Sequence, residues 1–466
     1  MGKSISKSRE IAFNVLNGVF SNKAYSTLSL RYSEQMQDAN REDKALATEI
    51  VYGTIRNLIY IDHVLAKFLR RKVSDMPILT ILRMSAYQIL FLQGVPTYAI
   101  CDQAVRLAEV HGHSSHKGFV NAVLRNIIRS KESISAEHVD TQIAASMPDL
   151  IFDAYIKTIQ EMYTSNGEPI DSETAFSLAE KAAYATTYAQ EVTIRANTLK
   201  MSTEAFEQAM EDLGVEYKAL PLMDGAYRLE KGGDVQVLVN GMEPGSFAVQ
   251  DPSSMMPPLL LDPNPGDLVL DLCSAPGSKT MLMAQQMDNK GKIVACDIHD
   301  FRVKLVDNVA KLQGVDIVET RCVDVSKEQL VPDGTADCIL ADVPCSGLGV
   351  IGKKPEIKYS VTQKDIEDTA ELQLAILERQ WPCLKEGGTL VYSTCTCALE
   401  ENLGVIRKFM EKHPECQTVR TRAFAEVMST AGRRVNLNHK HRGMVQIMPG
   451  LYNADGFFVA KLRKGK

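Results

Sequence analysis

Apolar positions along the first 131 residues recur at helical spacing. Ile11, Val15 and Phe20 mark one stripe, and Ile50, Ile55 and Ile59 mark another. The run PILTILRMSAYQILFL over 77–92 is apolar nearly all round, which predicts a central buried helix ended before Pro96. Residues 98–109 and 118–129 supply two more helices, so a small all-α domain is expected over 1–135. A connector over 136–190 is richer in Asp, Glu, Ser and Ala. Within it MPDLIFDAYIKTIQEMY and DSETAFSLAEKAAYATTYAQ predict two helices separated by the loop TSNGEP.

The period then changes. EVTIRANTL, VEYKALP, AYRLEKG and VQVLVNG read as short strands around one helix, TEAFEQAMEDLG, begun by Ser202 or Thr203 and closed at Gly214. This predicts a small α+β subdomain over 191–248. From 249 to 466 strands and helices alternate as a parallel sheet requires: LVLDL, a helix from Lys279, KIVACD, a helix over 301–312 stopped by Gly314, IVETR, ADCILAD, a long helix over 364–384, and GTLVYST. Strands near 444–448 and 456–462 close a doubly wound, Rossmann-like α/β domain.

A chain of 466 residues suits two or three such domains. No run approaches the roughly 18 apolar residues of a membrane span, and the N-terminal stretch has no apolar secretory core. A cytoplasmic location is expected, and nine of the ten cysteines between Cys273 and Cys416 suit a reducing compartment. The net charge of −6 hides an asymmetry. Residues 1–135 carry 18 Lys/Arg against 11 Asp/Glu, while 136–250 carry 7 against 19. The basic first module can lend affinity for phosphates, although lysines and arginines that merely solvate helix faces give the same count.

The chemistry centres on LVLDLCSAPGSKT at 268–280, a buried strand entering a Pro/Gly turn that opens a helix. Such a turn presents backbone N–H groups to an anionic ligand. It lacks the glycines of a dinucleotide fingerprint and the spacing of a phosphate loop, which leaves another nucleoside ligand. Residues just past successive strands meet at one edge of an open sheet, and here they are 273–279, Asp297, Asp324 and Asp342. Asp297, after the second strand, suits a ribose because a carboxylate accepts from both hydroxyls. A helix N-cap accounts for each aspartate alone better than a ligand does, but it does not explain three at successive strand ends.

Two cysteines stand in turns on that edge, Cys345 in DVPCSG and Cys395 in YSTCTC, where a thiolate can meet a substrate. Cys397 reads as a neighbour. Cys101, Cys296, Cys322, Cys338, Cys383 and Cys416 read as inert buried thiols. His111, His113 and His116 in HGHSSHKG lack a cysteine or carboxylate at ligand spacing and read as exposed loop residues, so no metal is expected.

In order and spacing, DLCSAPGSKT, ACDIHDFRVKLVDNVAKLQG, ADVPCSGLGVIGKKPEIKY, LVYSTCTCALEEN and DGFFVAKL resemble the RNA cytosine-C5 methyltransferase family. REDKALATEIVYGTIRN, LRMSAYQILFL, VPTYAICDQAVRLAE and KGFVNAVLRNI resemble the NusB-like RNA-binding helical domain. The joint resemblance runs from Ser6 to Lys464 and is weakest over 140–190. It implies a class I methyltransferase domain over 249–466 that takes a methyl group from S-adenosyl-L-methionine to carbon 5 of a cytosine in 16S ribosomal RNA, cytosine 967 in the usual ribosomal numbering. The implied partner is 16S RNA or a small-subunit assembly intermediate, with a monomeric enzyme and neither DNA nor membrane.

Carried over by motif, the resemblance implies that Cys273, Ser274, Ala275, Pro276, Gly277, Ser278 and Lys279 wrap the methionine end of the cofactor. Asp297 and Arg302 fall on its ribose side, Asp324 meets the adenine edge, and Asp342 lies between cofactor and base. Cys395 is the implied nucleophile and Cys345 the implied helper in product release. The chemistry needs two such groups, because carbon 5 becomes nucleophilic only after a thiolate adds at carbon 6, and that thiolate must later leave. The target base must be unpaired or flipped out. The chain departs from the family pattern at Ser278, usually glycine, and in GKKPEIKY, which keeps the usual basic pair before the proline as Lys353 and Lys354 but has Gly352 just upstream and Tyr359 in place of a common tryptophan; the second departure bears on RNA contacts more than on chemistry. Two other readings remain: an RNA-binding assembly factor without catalysis, and a cytosine-C5 methyltransferase of another rRNA or tRNA position.

Overall fold

The computed structural model describes residues 5–22, 26–31, 33–113, 115–165, 169–188, 191–230, 235–419, 443–450 and 453–465. The loop expected over 164–169 and the end of the strand expected over 226–232 reach outside these residues. The chain divides into two units. One comprises Met1–Phe152, Ala183–Ala189 and Ile351–Ser360, and the other Asp153–Ala182, Gln190–Val350 and Val361–Lys466.

The first unit is helical, with major helices Lys7–Asn22, Arg41–Arg56, Leu58–Ala66, Met76–Phe91, Thr97–His111 and His116–Arg129. Asn40 and Asp75 cap two of them, accepting hydrogen bonds from the N–H groups of Asp43 at 2.8 Å and Ile78 at 3.1 Å. Met76–Phe91 runs through the middle of one apolar core, with Ile78, Ile81, Leu82 and Met84 inaccessible to solvent. Gly53 lets the Arg41–Arg56 helix approach it, since a Cβ there would lie 1.9 Å from the Tyr87 ring. His111 and His116 belong to helices. The His111 ring packs 4.2 Å from that of Phe13, so it is not the exposed loop residue expected from sequence.

The segment Ile351–Ser360 closes this unit. Arg56 Nε donates to the Gly352 carbonyl at 2.9 Å, and Tyr359 Oη donates to the Ile55 carbonyl at 2.8 Å. Among the described residues Lys358, 2% exposed, reaches only the carbonyls of Arg56 at 3.4 Å and Ala145 at 3.3 Å. Burial, aided by the charge of Arg56, lowers its pKa to about 7. Between that value and the ordinary lysine range, the unfolded chain holds a proton here that the folded chain has released, so stability should rise with pH across this window. Lys358→Met is expected to remove that part of the slope, on the order of 2 kcal/mol between pH 7 and 9. Thermal melts of both chains at the two pH values check it, and equal shifts would contradict it.

In the second unit, β1 (Thr193–Ala196), β2 (Tyr217–Ala219), β3 (Ala226–Leu229) and β4 (Phe247–Val249) form an antiparallel sheet in the order β2-β3-β1-β4. VQVLVNG, expected as a strand, is the helix Val235–Gly241. Its β-branched residues favour extended backbone, but a helix brings Val235, Leu238 and the following Met242 to one face, where they pack with Phe206 and Tyr227. The fourth strand is β4, too short to show alternation.

The larger sheet contains β5 (Leu268–Asp271), β6 (Lys292–Asp297), β7 (Val318–Cys322), β8 (Ala336–Asp342), β9 (Leu384–Thr394), β10 (Cys416–Thr418), β11 (Met444–Ile447) and β12 (Phe457–Lys464). Its order is β10-β12-β9-β8-β5-β6-β7, with β11 paired to β12. The strands from β9 to β7 are parallel neighbours, and β12 runs antiparallel to β9. From β5 the chain winds outward through β6 to β7, then restarts on β5's other side at β8. This reversal opens a crevice at the carboxyl ends of β5 and β8, where an α/β sheet binds ligands.

Candidate active site

The turn after β5 is held by its neighbours. Ser274 donates to the Cys296 carbonyl from both its N–H, at 2.7 Å, and its hydroxyl, at 3.0 Å. Gly277, at φ +107°, accepts the N–H of Met281 and sits at the start of the helix Ser278–Gln286, whose first turn has no side-chain cap. Only glycine adopts that φ without strain. The helix N-terminus is therefore open toward the crevice, an arrangement that favours an anionic group.

Beneath the turn lies Asp271, which is 1% exposed. Thr280 Oγ1 donates to its Oδ2 at 2.6 Å, whereas Oδ1 has no hydrogen-bond partner among the described residues. Burial pushes its pKa up to about 7 against the Thr280 bond. Sequence reasoning passed over this residue, although an acid inside the apolar run LVLDL is a visible signal.

At the end of β6, Asp297 accepts the His299 N–H at 3.0 Å on Oδ1 and pairs with Arg302 at 3.2 Å on Oδ2. Arg302 also donates to the Ala275 carbonyl at 2.9 Å, tying the two turns together. Asp324, just past β7, caps its own turn by accepting from the N–H of Ser326 at 3.1 Å and from its hydroxyl at 2.6 Å, and pairs with Lys327 at 2.7 Å. These hydrogen bonds, that of Lys327 first, hold its pKa below the usual range.

Across the crevice, Asp342 at the end of β8 is fixed from two sides. Lys279 Nζ donates to Oδ2 at 2.7 Å, and Ser393 Oγ donates to Oδ1 at 2.7 Å. Burial works against the Lys279 ammonium, but the charge and hydrogen bond of Asp342 outweigh it and raise its pKa, so the two form an ion pair. Its field also favours negative charge on Cys395.

The two turn cysteines come together. Cys345 Sγ and Cys395 Sγ are 3.3 Å apart although fifty positions separate them. The hydrogen bond with Cys395, then burial, pushes the Cys345 thiol well above the usual cysteine range. Either sulfur can donate its S–H to the other across this contact.

The remaining thiols divide. Cys101, Cys296, Cys338, Cys383, Cys397 and Cys416 are buried, but Cys322, expected to be buried, is exposed. It ends β7, the edge strand of the sheet, so one side lacks a covering strand. Cys273 is half-buried in the turn after β5, and burial lifts its thiol well above the ordinary value. No helix among the described residues is long and apolar enough to cross a membrane.

The sequence pattern of the 16S rRNA methyltransferase RsmB/F family matches residues 258–463, and that of the NusB family matches residues 6–129. The probable ribosomal RNA small subunit methyltransferase B of Bacillus subtilis (strain 168) is 34% identical over 469 residues, covering 98% of this chain and 98% of that protein. Ribosomal RNA small subunit methyltransferase B of Enterobacter sp. (strain 638) is 30% identical, covering 92% of each. Among solved structures, a methyltransferase homolog protein from Pyrococcus horikoshii is 28% identical with a TM-score of 0.53, over 66% of this chain and 99% of that one. NSun6 from Pyrococcus horikoshii with SFG, at 23% identity and a TM-score of 0.55 over 68% of this chain and 98% of its own, shares the fold.

Proposed function

The chain belongs to the 16S rRNA methyltransferase RsmB/F family, and on that premise we propose that it methylates carbon 5 of a cytosine in 16S ribosomal RNA through a covalent bond between Cys395 and carbon 6. As a member of this family it is an S-adenosylmethionine-dependent rRNA methyltransferase. The observation that carries the finer reading is the thiol pair, 3.3 Å between sulfurs, on the sheet edge that also bears the Lys279–Asp342 ion pair. Methyl transfer to oxygen or nitrogen has no use for two thiols.

The residues present fit the cofactor. The open N-terminus of Ser278–Gln286 suits the methionine carboxylate, and Asp297 retains lone pairs for ribose hydroxyls. Half-exposed Ile298 beside it offers apolar surface to the adenine, with Asp324 at its polar edge. Bound there, S-adenosylmethionine supplies an electrophilic methyl group on a sulfonium.

The protein's own groups carry the remaining steps. Cys395 thiolate, favoured by Lys279, forms the sulfur–carbon bond at carbon 6, and the displaced π pair makes carbon 5 the nucleophile. Asp342, held by Lys279 and Ser393, is placed to orient the N3–N4 edge of the ring as charge develops. After methylation the carbon-5 proton passes to solvent water, its electron pair re-forms the ring double bond, and Cys395 departs as thiolate. The Cys345 S–H stabilises that leaving thiolate by hydrogen bonding.

The proposed target is cytosine 967 in the usual ribosomal numbering. Bisulfite sequencing of 16S RNA from cells with and without the gene tests both chemistry and position. A protected cytosine that becomes convertible on deletion is expected, and an unchanged pattern over the whole RNA would refute the proposal.

A further inference from the structure

Glu401 is completely buried, 0% exposed, in the turn that follows the Cys395 strand end. A carboxylate in such a place costs several kcal/mol unless its lone pairs are satisfied, so the contacts it makes are informative. Its Oε1 accepts the Ser346 N–H at 2.8 Å and one proton of Gln373 Nε2 at 3.1 Å, and its Oε2 accepts the Ser346 hydroxyl. Gln373 uses its other Nε2 proton on the Pro344 carbonyl at 2.8 Å and is itself oriented by Tyr392 Oη at 2.9 Å. The residues on both sides of Cys345 are therefore pinned.

The same cluster reaches the other thiol turn. Ser346 Oγ lies 2.8 Å from Thr396 Oγ1, and Asn402 Nδ2 donates to the Thr396 carbonyl at 3.0 Å while its Oδ1 accepts the Thr394 hydroxyl. Thr394 and Thr396 flank Cys395 as Pro344 and Ser346 flank Cys345. None of these bonds involves either sulfur. What they fix is the separation of the two turns that carry them.

We propose that Glu401 is a positioning residue for the methyl transfer, setting the approach of Cys345 to Cys395 by joining their turns through Ser346, Thr396 and Gln373. This rests on the cytosine-C5 reading above. Glu401→Gln keeps the shape and an oxygen acceptor for the Ser346 N–H, whereas Glu401→Ala removes the link altogether.

Steady-state methylation of 16S RNA is the test, accompanied by covalent trapping on RNA containing 5-fluorocytosine. For Glu401→Ala we expect a fall in kcat of about 30- to 100-fold with KM for cofactor and RNA within about threefold, trapping within about threefold of wild type, a covalent protein–RNA species that accumulates on ordinary RNA, and recovery of at least about tenfold in Glu401→Gln. If the alanine variant does not fold, Thr396→Val, which removes one hydroxyl from the link, is expected to lower kcat at least about fivefold with KM unchanged. A kcat within about threefold of the parent in the folded variants, or a loss carried by KM instead, overturns the proposal. Wild-type enzyme that forms no trapped complex would refute the cytosine-C5 reading itself; trapping by wild type with no covalent species on ordinary RNA in Glu401→Ala refutes only the positioning role.

Discussion

Cys395→Ala is expected to lower methylation by about 10⁴-fold or more, the scale on which enzymes lose rate when a covalent nucleophile is deleted. The argument is chemical before it is structural. Carbon 5 of cytosine has almost no affinity for an electrophile until something adds at carbon 6, so the loss falls on kcat. Cofactor binding should survive, because the residues proposed for it stand after β5, β6 and β7 while Cys395 follows β9. Titration calorimetry with S-adenosylmethionine should give a dissociation constant within about threefold of wild type. The complex trapped with 5-fluorocytosine RNA should disappear. A persistent complex in this variant would remove Cys395 from the nucleophile role.

Cys345→Ala should behave in the opposite way. Attack by Cys395 and methyl transfer remain available, but the departing thiolate loses the S–H that lies 3.3 Å away. Turnover is expected to fall by about 10² to 10³-fold while a covalent protein–RNA species builds up on ordinary RNA, visible as a band that resists denaturing electrophoresis. Accumulation in Cys395→Ala and its absence in Cys345→Ala would exchange the two roles.

How much of this was legible depends on the length scale of the signal. LVLDLCSAPGSKT announced itself because a buried strand, a Pro/Gly turn and a helix start occur within thirteen consecutive positions. Cys345 and Cys395 were legible as turn residues past strands, but their contact depends on β8 and β9 being parallel neighbours, which only the sheet order reveals. Cys322 misled for a related reason, since an edge strand has the same composition as a covered one. VQVLVNG misled because three valines in seven residues carry strand propensity, and the packing of Leu238 and Met242 overrides it. Glu401 left no local trace: beside Glu400 in ALEEN it looks like a solvated helix start, and its partners lie 28 and 55 positions away.

The composition of the helical unit from three stretches of chain has a consequence for its birth. A ribosome delivers residue 152 about 200 residues before it delivers Ile351–Ser360, a delay of roughly 10–40 seconds at common elongation rates. Through that interval the nascent helices lack the segment whose Tyr359 hydroxyl and Gly352 carbonyl occupy the Ile55 carbonyl and the Arg56 guanidinium. Maturation of the amino-terminal part is thereby timed by the arrival of a loop encoded between β8 and β9. A fragment ending at residue 152 would carry the finished helices with that surface still bare.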